Sequence, residues 1–421
     1  MPRHNGNPGT QFAAGTAEIT PTTPLPLGGY DGRTGPFQSI AEPLEANVVV
    51  ANAGHADFVL VTADLLYPGK VLRDRILLKA RLADRPEALF LAASHTHFAP
   101  MTQYGNPRLG VPLDSYVELV ASRVAALIDK LRHRLGEARL TYCEGVAHHA
   151  INRRLRRLRL SRSGLRYSAE LGPNPNGARD DSVRVLRLAD AGGKVIALVW
   201  NYACHPTGFP HRESASAEFP AVVRRKLREY FGNVPVLFLQ GFSGDLRPPF
   251  RANLGSLRSL AVRMAKGPQF GPPRLTEWQA WAQSLASRVV DITKLNGQLL
   301  SSNELTGSRE AIPIEQIAEG DAQGKAISIH ALQLGGAHFV GFGAEPVSAY
   351  RELVERKFGT SAVLTVGCVD QTHCYLPTDA MLGEGGYEVE GFRTAFDFTA
   401  RFKPGLERTV SEALDRVNAG I

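Results

Sequence analysis

The feature that most limits how this chain can fold is a recurring one. Short, unbroken apolar runs each stop at a polar, chemistry-bearing cluster. Residues 88–93 run into Ser94-His95-Thr96-His97, and 194–201 into Cys204-His205-Pro206. Residues 234–239 end at Gln240-Gly241, and 338–342 at Gly343-Ala344-Glu345-Pro346. Apolar runs of this length without alternation read as strands buried on both faces. They are too short to cross a bilayer, which takes about 20 residues. Buried strands need covers, and helical patterns occupy 71–82, 114–135, 217–231, 277–297, 346–357 and 392–417. Further strands are predicted at 46–53 and 58–63, around the turn Ala53-Gly54-His55-Ala56, and near 138–147, 183–189, 326–342 and 361–368. This alternation gives an α/β fold: a mixed β-sheet flanked by helices on both faces. The Gly/Pro-rich opening and residues 251–276 read as loops. With no internal repeat, residues 1–421 are expected to form a single domain. Sites in open α/β sheets are built just past the C-terminal ends of strands, where these polar clusters lie.

Composition narrows the function. A hydrophobic fraction of 43% suffices for a core, so disorder is not expected. Part of the net charge of +7 comes from residues 153–166, which hold seven arginines. That run reads as a solvated surface loop, as an arginine-lined approach for an anionic substrate, or as a nucleic-acid patch. No helix-turn-helix, zinc-finger or RNA-recognition pattern accompanies it, so nucleic acid is not an expected partner. Residues 1–12 are polar and lack a signal-peptide core, and no run of about 18 apolar residues exists. Cys143, Cys204, Cys368 and Cys374 form no CxxC pair and suggest no disulfide framework, so a cytoplasmic location is expected. Phosphoryl transfer and dinucleotide chemistry are disfavoured by the lack of a P-loop and of GxGxxG after a strand. Ser243 lies outside a GxSxG elbow, which disfavours a serine hydrolase.

Four motifs carry metal chemistry, each with a plainer reading beside it. In extended backbone i and i+2 point the same way, so His95 and His97 can present two imidazoles to one point; ordinary hydrogen-bonded histidines are the alternative. His205 sits at a strand end before a proline, as a ligand or as a satisfied core histidine. Glu345 follows an apolar strand, where burial without a cation is costly, although a helix N-terminus also favours a carboxylate. Tyr375, in Cys374-Tyr375-Leu376-Pro377-Thr378, reads by itself as a packed loop tyrosine. The loop Gln240–Asp245 can bring backbone N–H groups near an oxyanion.

Taken in order, these motifs resemble the catalytic domain of neutral/alkaline, non-lysosomal ceramidases. The resemblance rests on Gly15-Thr16-Ala17-Glu18-Ile19-Thr20-Pro21, Gly29-Tyr30, Thr62-Ala63-Asp64, Ser94–His97, Ile151-Asn152-Arg153 and Asn201–Pro206. Gly244-Asp245, Glu345, Tyr375 and Tyr387-Glu388 complete it. It implies a Zn2+ site held by His95, His205, Glu345 and Tyr375, with His97 beside the metal handling protons. It also implies that Arg153 lies near the substrate carbonyl and that Tyr387 hydrogen-bonds the tetrahedral intermediate. Asp245 is expected to shape the site, while Asp64 either orients a ligand or caps a loop.

The resemblance departs from the family in three ways. Where ceramidases have Gly-Asp-Val-Ser-Pro, this chain has Gly244-Asp245-Leu246-Arg247-Pro248, which removes a serine nucleophile at that position. No counterpart of the family's C-terminal immunoglobulin-like domain and no secretion signal is expected within the 421 residues. The expected function is a zinc-dependent hydrolase cleaving an amide bond with metal-activated water, on a small or polar acyl amide rather than long-chain ceramide. A zinc esterase or lactonase and a catalytically inactive binding module are the alternatives. The expected partner is a small amide or acyl substrate, anionic groups included. Stable membrane anchoring is not expected, and homo-oligomers are left open.

Overall fold

The computed structural model describes residues 10–54, 56–161, 164–252, 267–322, 324–359 and 362–421. The largest sheet has nine strands. Eight lie in the order Val236–Gln240, Val195–Tyr202, Ser182–Asp190, Gly136–Val146, Gln11–Glu18, Glu45–Asn52, Asp57–Ala63 and Leu89–Ala93. Gln298–Leu300 adds to Gly136–Val146. The outermost pair at each edge is parallel, and the strands between are antiparallel. The sheet is therefore mixed, as the sequence suggests.

Both faces are covered because successive side chains go to opposite sides. In Val195–Tyr202, Ala197 and Val199 enter one core while Leu198, Trp200 and Tyr202 enter another. On the first face, helix Asp114–Arg132 buries Val117, Val120, Ala121, Val124, Ile128 and Leu131, spaced for a single helical stripe. It comes close because Gly15 has no side chain; a Cβ there would lie 2.7 Å from Leu127 Cδ1. On the second face pack Phe219–Phe231 and Leu275–Thr293. A four-stranded sheet, Leu305–Pro313, Ala326–Leu334, Ala337–Phe342 and Val363–Val366, adds Leu332, Phe339 and Leu364 to the first core. Its Ile327, Ile329, Val340 and Phe342 join a third core with helices Tyr350–Phe358 and Leu406–Asn418.

Several elements differ from the sequence expectation. The chain opens not on loops alone but on Gln11–Glu18, registered along its whole length with Glu45–Asn52. Its small, partly polar residues carry little strand propensity, and the pairing supplies what propensity lacks. Along its described residues the arginine run is not a loop. Ile151–Ser161 pairs with Gly164–Asn174 in a long hairpin, with Arg153 and Arg154 buried at its base. The helix expected from 346 begins at Tyr350, because Glu345–Pro346 pairs in parallel with Tyr375–Leu376. The last helix begins at Leu406, and Tyr387–Gly391 forms a π-helical turn. Within the expected loop 251–276, residues 253–266 lie outside the described residues, and Leu275 already begins a helix. Among the described residues, no helix is long and apolar enough to cross a membrane.

The parallel strands of both sheets end in one place. Ser94 N–H donates to the Ala63 carbonyl at 2.8 Å, Gly241 N–H to Tyr202 at 3.0 Å and Gly367 N–H to Gln240 at 2.8 Å. Cys368 N–H reaches Ala344 at 3.0 Å within the smaller sheet, and the Gly367–Gln240 bond together with Ala93 N–H to the Cys368 carbonyl at 3.2 Å ties the two sheets together at the same level.

Candidate metal centre

Five of the side chains singled out in the sequence meet at that level. His95, His205, Glu345 and Tyr375 are buried, and His97 is half-buried. Glu345 Oε2 stands 3.0 Å from His205 Nε2 and 3.5 Å from His95 Nε2, and Tyr375 Oη stands 3.4 Å from His205 Nε2. Each pair of His95, His97 and His205 has ligand atoms within 4.8 Å, so the three histidines form a group compatible with a metal site. Glu345 and Tyr375 are direct partners in a two-residue parallel ladder, which fixes their spacing through the backbone.

The His95–His97 pair does not converge by extended geometry. The strand stops at Ala93, and His95 takes φ 62°, the left-handed region that costs an ordinary residue about 1–2 kcal/mol. The turn brings the two rings to 5.0 Å at an interplanar angle of 82°. His97 fits against Gly29, which has φ 100°; a Cβ on Gly29 would lie 2.6 Å from His97 Nδ1. The Gly29-Tyr30 motif thus has a packing reason, and the Tyr30 ring lies 5.1 Å from that of His97.

Hydrogen bonding sets the protons. His95 Nδ1 faces the Leu66 carbonyl at 3.1 Å, and His205 Nδ1 faces the carbonyls of Ser243 at 2.7 Å and Leu246 at 3.1 Å. A carbonyl only accepts, so Nδ1 carries a hydrogen in both rings and Nε2 is the atom turned to the centre. Burial lowers His205 to about 4, so its ring is neutral near pH 7. Burial, then His95 and His205, pushes His97 well below the usual histidine range, and neither of its buried ring nitrogens has a partner. Burial opposes ionisation of Glu345, but the neighbouring His95 and His205 outweigh it and hold the carboxyl well below its usual value. Burial, then Glu345, raises the Tyr375 phenol well above its usual value.

Nε2 of His205 and the Glu345 oxygen 3.0 Å away stay together only with positive charge between them, a shared proton or a metal ion. Donors around one tetrahedral zinc stand about 3.4 Å apart, and the separations here are 3.0, 3.4 and 3.5 Å. The donor set of His95, His205, Glu345 and Tyr375 therefore suits a divalent cation.

Around this centre lie groups of the second kind. The Arg153 guanidinium lies 5.3 Å from the Tyr375 ring and 5.0 Å from the Tyr387 ring, and those rings are 5.4 Å apart. Arg153 and Arg154 are both held by Glu388, at 2.8 and 2.6 Å. Asp245 touches none of the histidines. Its carboxylate accepts from Ser348 N–H at 2.7 Å and Asn152 Nδ2 at 2.9 Å, and its carbonyl accepts from Arg153 N–H at 2.8 Å. Burial raises the Asp245 carboxyl to about 6. Asp64 lies outside the centre, where it accepts from Glu45 N–H at 2.8 Å and pairs with Arg224 at 2.9 Å. The sequence reading missed Tyr67, whose hydroxyl donates to Glu345 Oε1. Tyr67 follows strand Asp57–Ala63, so the same strand-end signal marks it.

No family model matches the chain, and no curated protein matches it. Solved structures do, two ceramidases among them. A neutral ceramidase from Pseudomonas aeruginosa superposes with a TM-score of 0.72 at 15% identity, over 97% of this chain and 74% of that one. A ceramidase complexed with C2 gives 0.70 at 14%, over 97% and 75%. The chain thus has the neutral-ceramidase-like fold.

Proposed function

We propose that this chain is a zinc-dependent amidohydrolase acting on a small or polar acyl amide. One observation carries the reading: two imidazoles, a carboxylate and a phenol aim their donor atoms at one point, with unpaired His97 beside them. His95, His205, Glu345 and Tyr375 would hold the ion. A zinc bound there supplies a Lewis acid for the scissile carbonyl and lowers the pKa of a water toward about 7.

The remaining residues perform the work expected of an amide hydrolase. His97 is neutral and without a partner, so it can accept a proton at a ring nitrogen and return it to the departing amine. Arg153 and Tyr387, packed against Tyr375, offer N–H and O–H donors to developing negative charge; one such donor is typically worth about 3–4 kcal/mol. Glu388 and Asp245 are positioning residues, Glu388 by gripping Arg153 and Asp245 by joining Asn152, Arg153 and Ser348. Tyr67 fixes the Glu345 carboxylate from the far side.

The test is metal analysis by plasma mass spectrometry together with a panel of acyl amides, esters and lactones. About one zinc per chain with amide turnover, and turnover lost in Glu345→Gln, supports the reading. Turnover of esters or lactones alone replaces amidohydrolase with esterase or lactonase. A zinc-loaded protein that binds amides and turns over nothing is a binding module.

A further inference from the structure

Buried arginines in this chain come with carboxylates. Arg73 lies 2.9 Å from Asp370, Arg153 2.8 Å from Glu388, Arg184 3.1 Å from Asp180 and Arg224 2.9 Å from Asp64. Arg247 does not follow the pattern. Its Nε is buried without a hydrogen-bond partner, and its guanidinium stacks 4.3 Å from the Phe270 ring centroid. Among the described residues no carboxylate reaches it, and no residue outside that set is Asp or Glu. An unpaired, largely desolvated guanidinium is costly to maintain. Burial, then repulsion from Arg153, lowers it to about 10.

Its position is informative. Arg247 follows Leu246, whose carbonyl orients His205, and it pairs across the ladder with Ile151, two residues before Arg153. Arg153 itself has a buried Nη2 without a partner. Arg247 and Arg212 both bear electrostatically on Tyr30, the residue packed on His97, and exposed Arg212 lies 4.5 Å from the Tyr30 ring. Arg33, also beside Tyr30, spends its donors on the carbonyls of Leu27, Gly28, His97 and Arg212. The carboxylate that bears on Tyr30 is Glu218, whose oxygens are already taken by the N–H groups of Gly208, Phe219 and Trp278. Positive charge therefore collects on one side of the histidines with no free carboxylate among the described residues to answer it.

Resting on the hydrolase reading above, we propose that the substrate is an amide bearing an anionic oxyacid group, a carboxylate or a phosphate, and that Arg247, with Arg212 at the mouth, binds that group. A guanidinium presents a planar fork that suits such oxygens. Ceramide, which has no charge, would leave it unanswered.

The experiment is calorimetric titration of the zinc-loaded protein with N-acetylglycine and with its uncharged counterpart N-acetylglycinamide. Wild type, Arg247→Met and Arg247→Lys are compared, and thermal melts verify folding. A charged hydrogen bond of this kind corresponds to roughly 10- to 100-fold in affinity. Wild type is expected to favour the acid by that factor, Arg247→Met to lose the preference, and Arg247→Lys to keep part of it. Arg247→Met is also expected to melt no lower than wild type, since it removes an unpaired charge. Inorganic phosphate that displaces the acid assigns a general oxyacid site, and acid binding untouched by phosphate assigns a carboxylate site. Equal affinities in wild type, or a preference undiminished in both variants, overturns the proposal. The preference without turnover of any amide would overturn the hydrolase reading and leave this one standing; turnover of neutral and anionic amides alike would do the reverse.

Discussion

Glu388→Gln should destabilise the protein by an amount that can be worked out beforehand. Glu388 is 1% exposed, with its two oxygens 2.8 Å from Arg153 and 2.6 Å from Arg154. Burial disfavours its charge, but the two guanidiniums outweigh burial and hold the carboxyl below its usual value. A glutamine offers one oxygen and turns an NH2 toward the other arginine. Removing one partner from a buried ion pair costs about 3–5 kcal/mol. For 421 residues the unfolding entropy is roughly 0.9 kcal/mol/K near the midpoint, so the melting temperature should fall by about 3–6 °C. Scanning calorimetry at pH 7.5 measures this, and the shift should be the same in 0.1 and 1 M salt because the pair is shielded from solvent. A carboxyl held low contributes stability above its unfolded pKa of about 4.3 and loses it as pH falls, so the gap between variant and wild type should narrow in acid. Glu412→Gln, which breaks an exposed 4.0 Å pair with Arg408, serves as the control and should hardly shift the midpoint. A Glu388→Gln protein melting within 1 °C of wild type would refute the reasoning.

Other perturbations probe the centre and its surroundings. His205→Ala should lose bound metal as measured by plasma mass spectrometry, whereas His97→Ala should keep it and lose at least 100-fold in kcat. Loss of metal from His97→Ala would make that histidine a ligand. Asp245→Asn should lower kcat by roughly 10-fold or more with little change in metal content, because the amide cannot accept from both Ser348 and Asn152; unchanged kcat would confine Asp245 to a loop-capping role. Burial raises Glu218 to about 7, above its unfolded value, so its contribution is fully present below about pH 4.5 and is lost as pH rises through 7. Urea unfolding from pH 4.5 to 8 should therefore lose about 3 kcal/mol more in wild type than in Glu218→Gln, and parallel curves would show that Glu218 titrates normally.

His95, His205 and Glu345 were legible because each follows a short apolar strand, whereas Tyr375 reads by itself as a packed loop tyrosine and was identified through family resemblance. Glu345 could equally have sat at a helix N-terminus. That ambiguity closes only when its partner strand is seen, because Tyr375 lies 30 residues on and nothing local announces the ladder. The arginine run misled for a related reason. Charge is conspicuous in a sequence and register is not, so a hairpin with two buried arginines at its base reads as a solvated segment. Arg153 was identified through family resemblance, while Arg154 and Tyr67 became visible only through their partners Glu388 and Glu345. The His95 turn was illegible because a residue other than glycine enters the left-handed region only in a few per cent of cases, histidine more often than most, so its presence after a strand does not announce the turn.

The scatter of the donors along the chain has a kinetic consequence. The proposed donors His95, His205, Glu345 and Tyr375 come from four separate stretches of the chain, with 110 and 140 positions separating the first three. Short zinc-binding motifs gather their ligands locally, and the ion can nucleate the fold. Here long loops must close and both sheets must pair before any two donors from different strands meet, which places the centre late in folding. An ion added to the unfolded chain would find isolated imidazoles and little else. Metal uptake should lag behind sheet formation in a refolding experiment, and the completed cage would act as a lock on the native state, slowing unfolding more than it speeds folding.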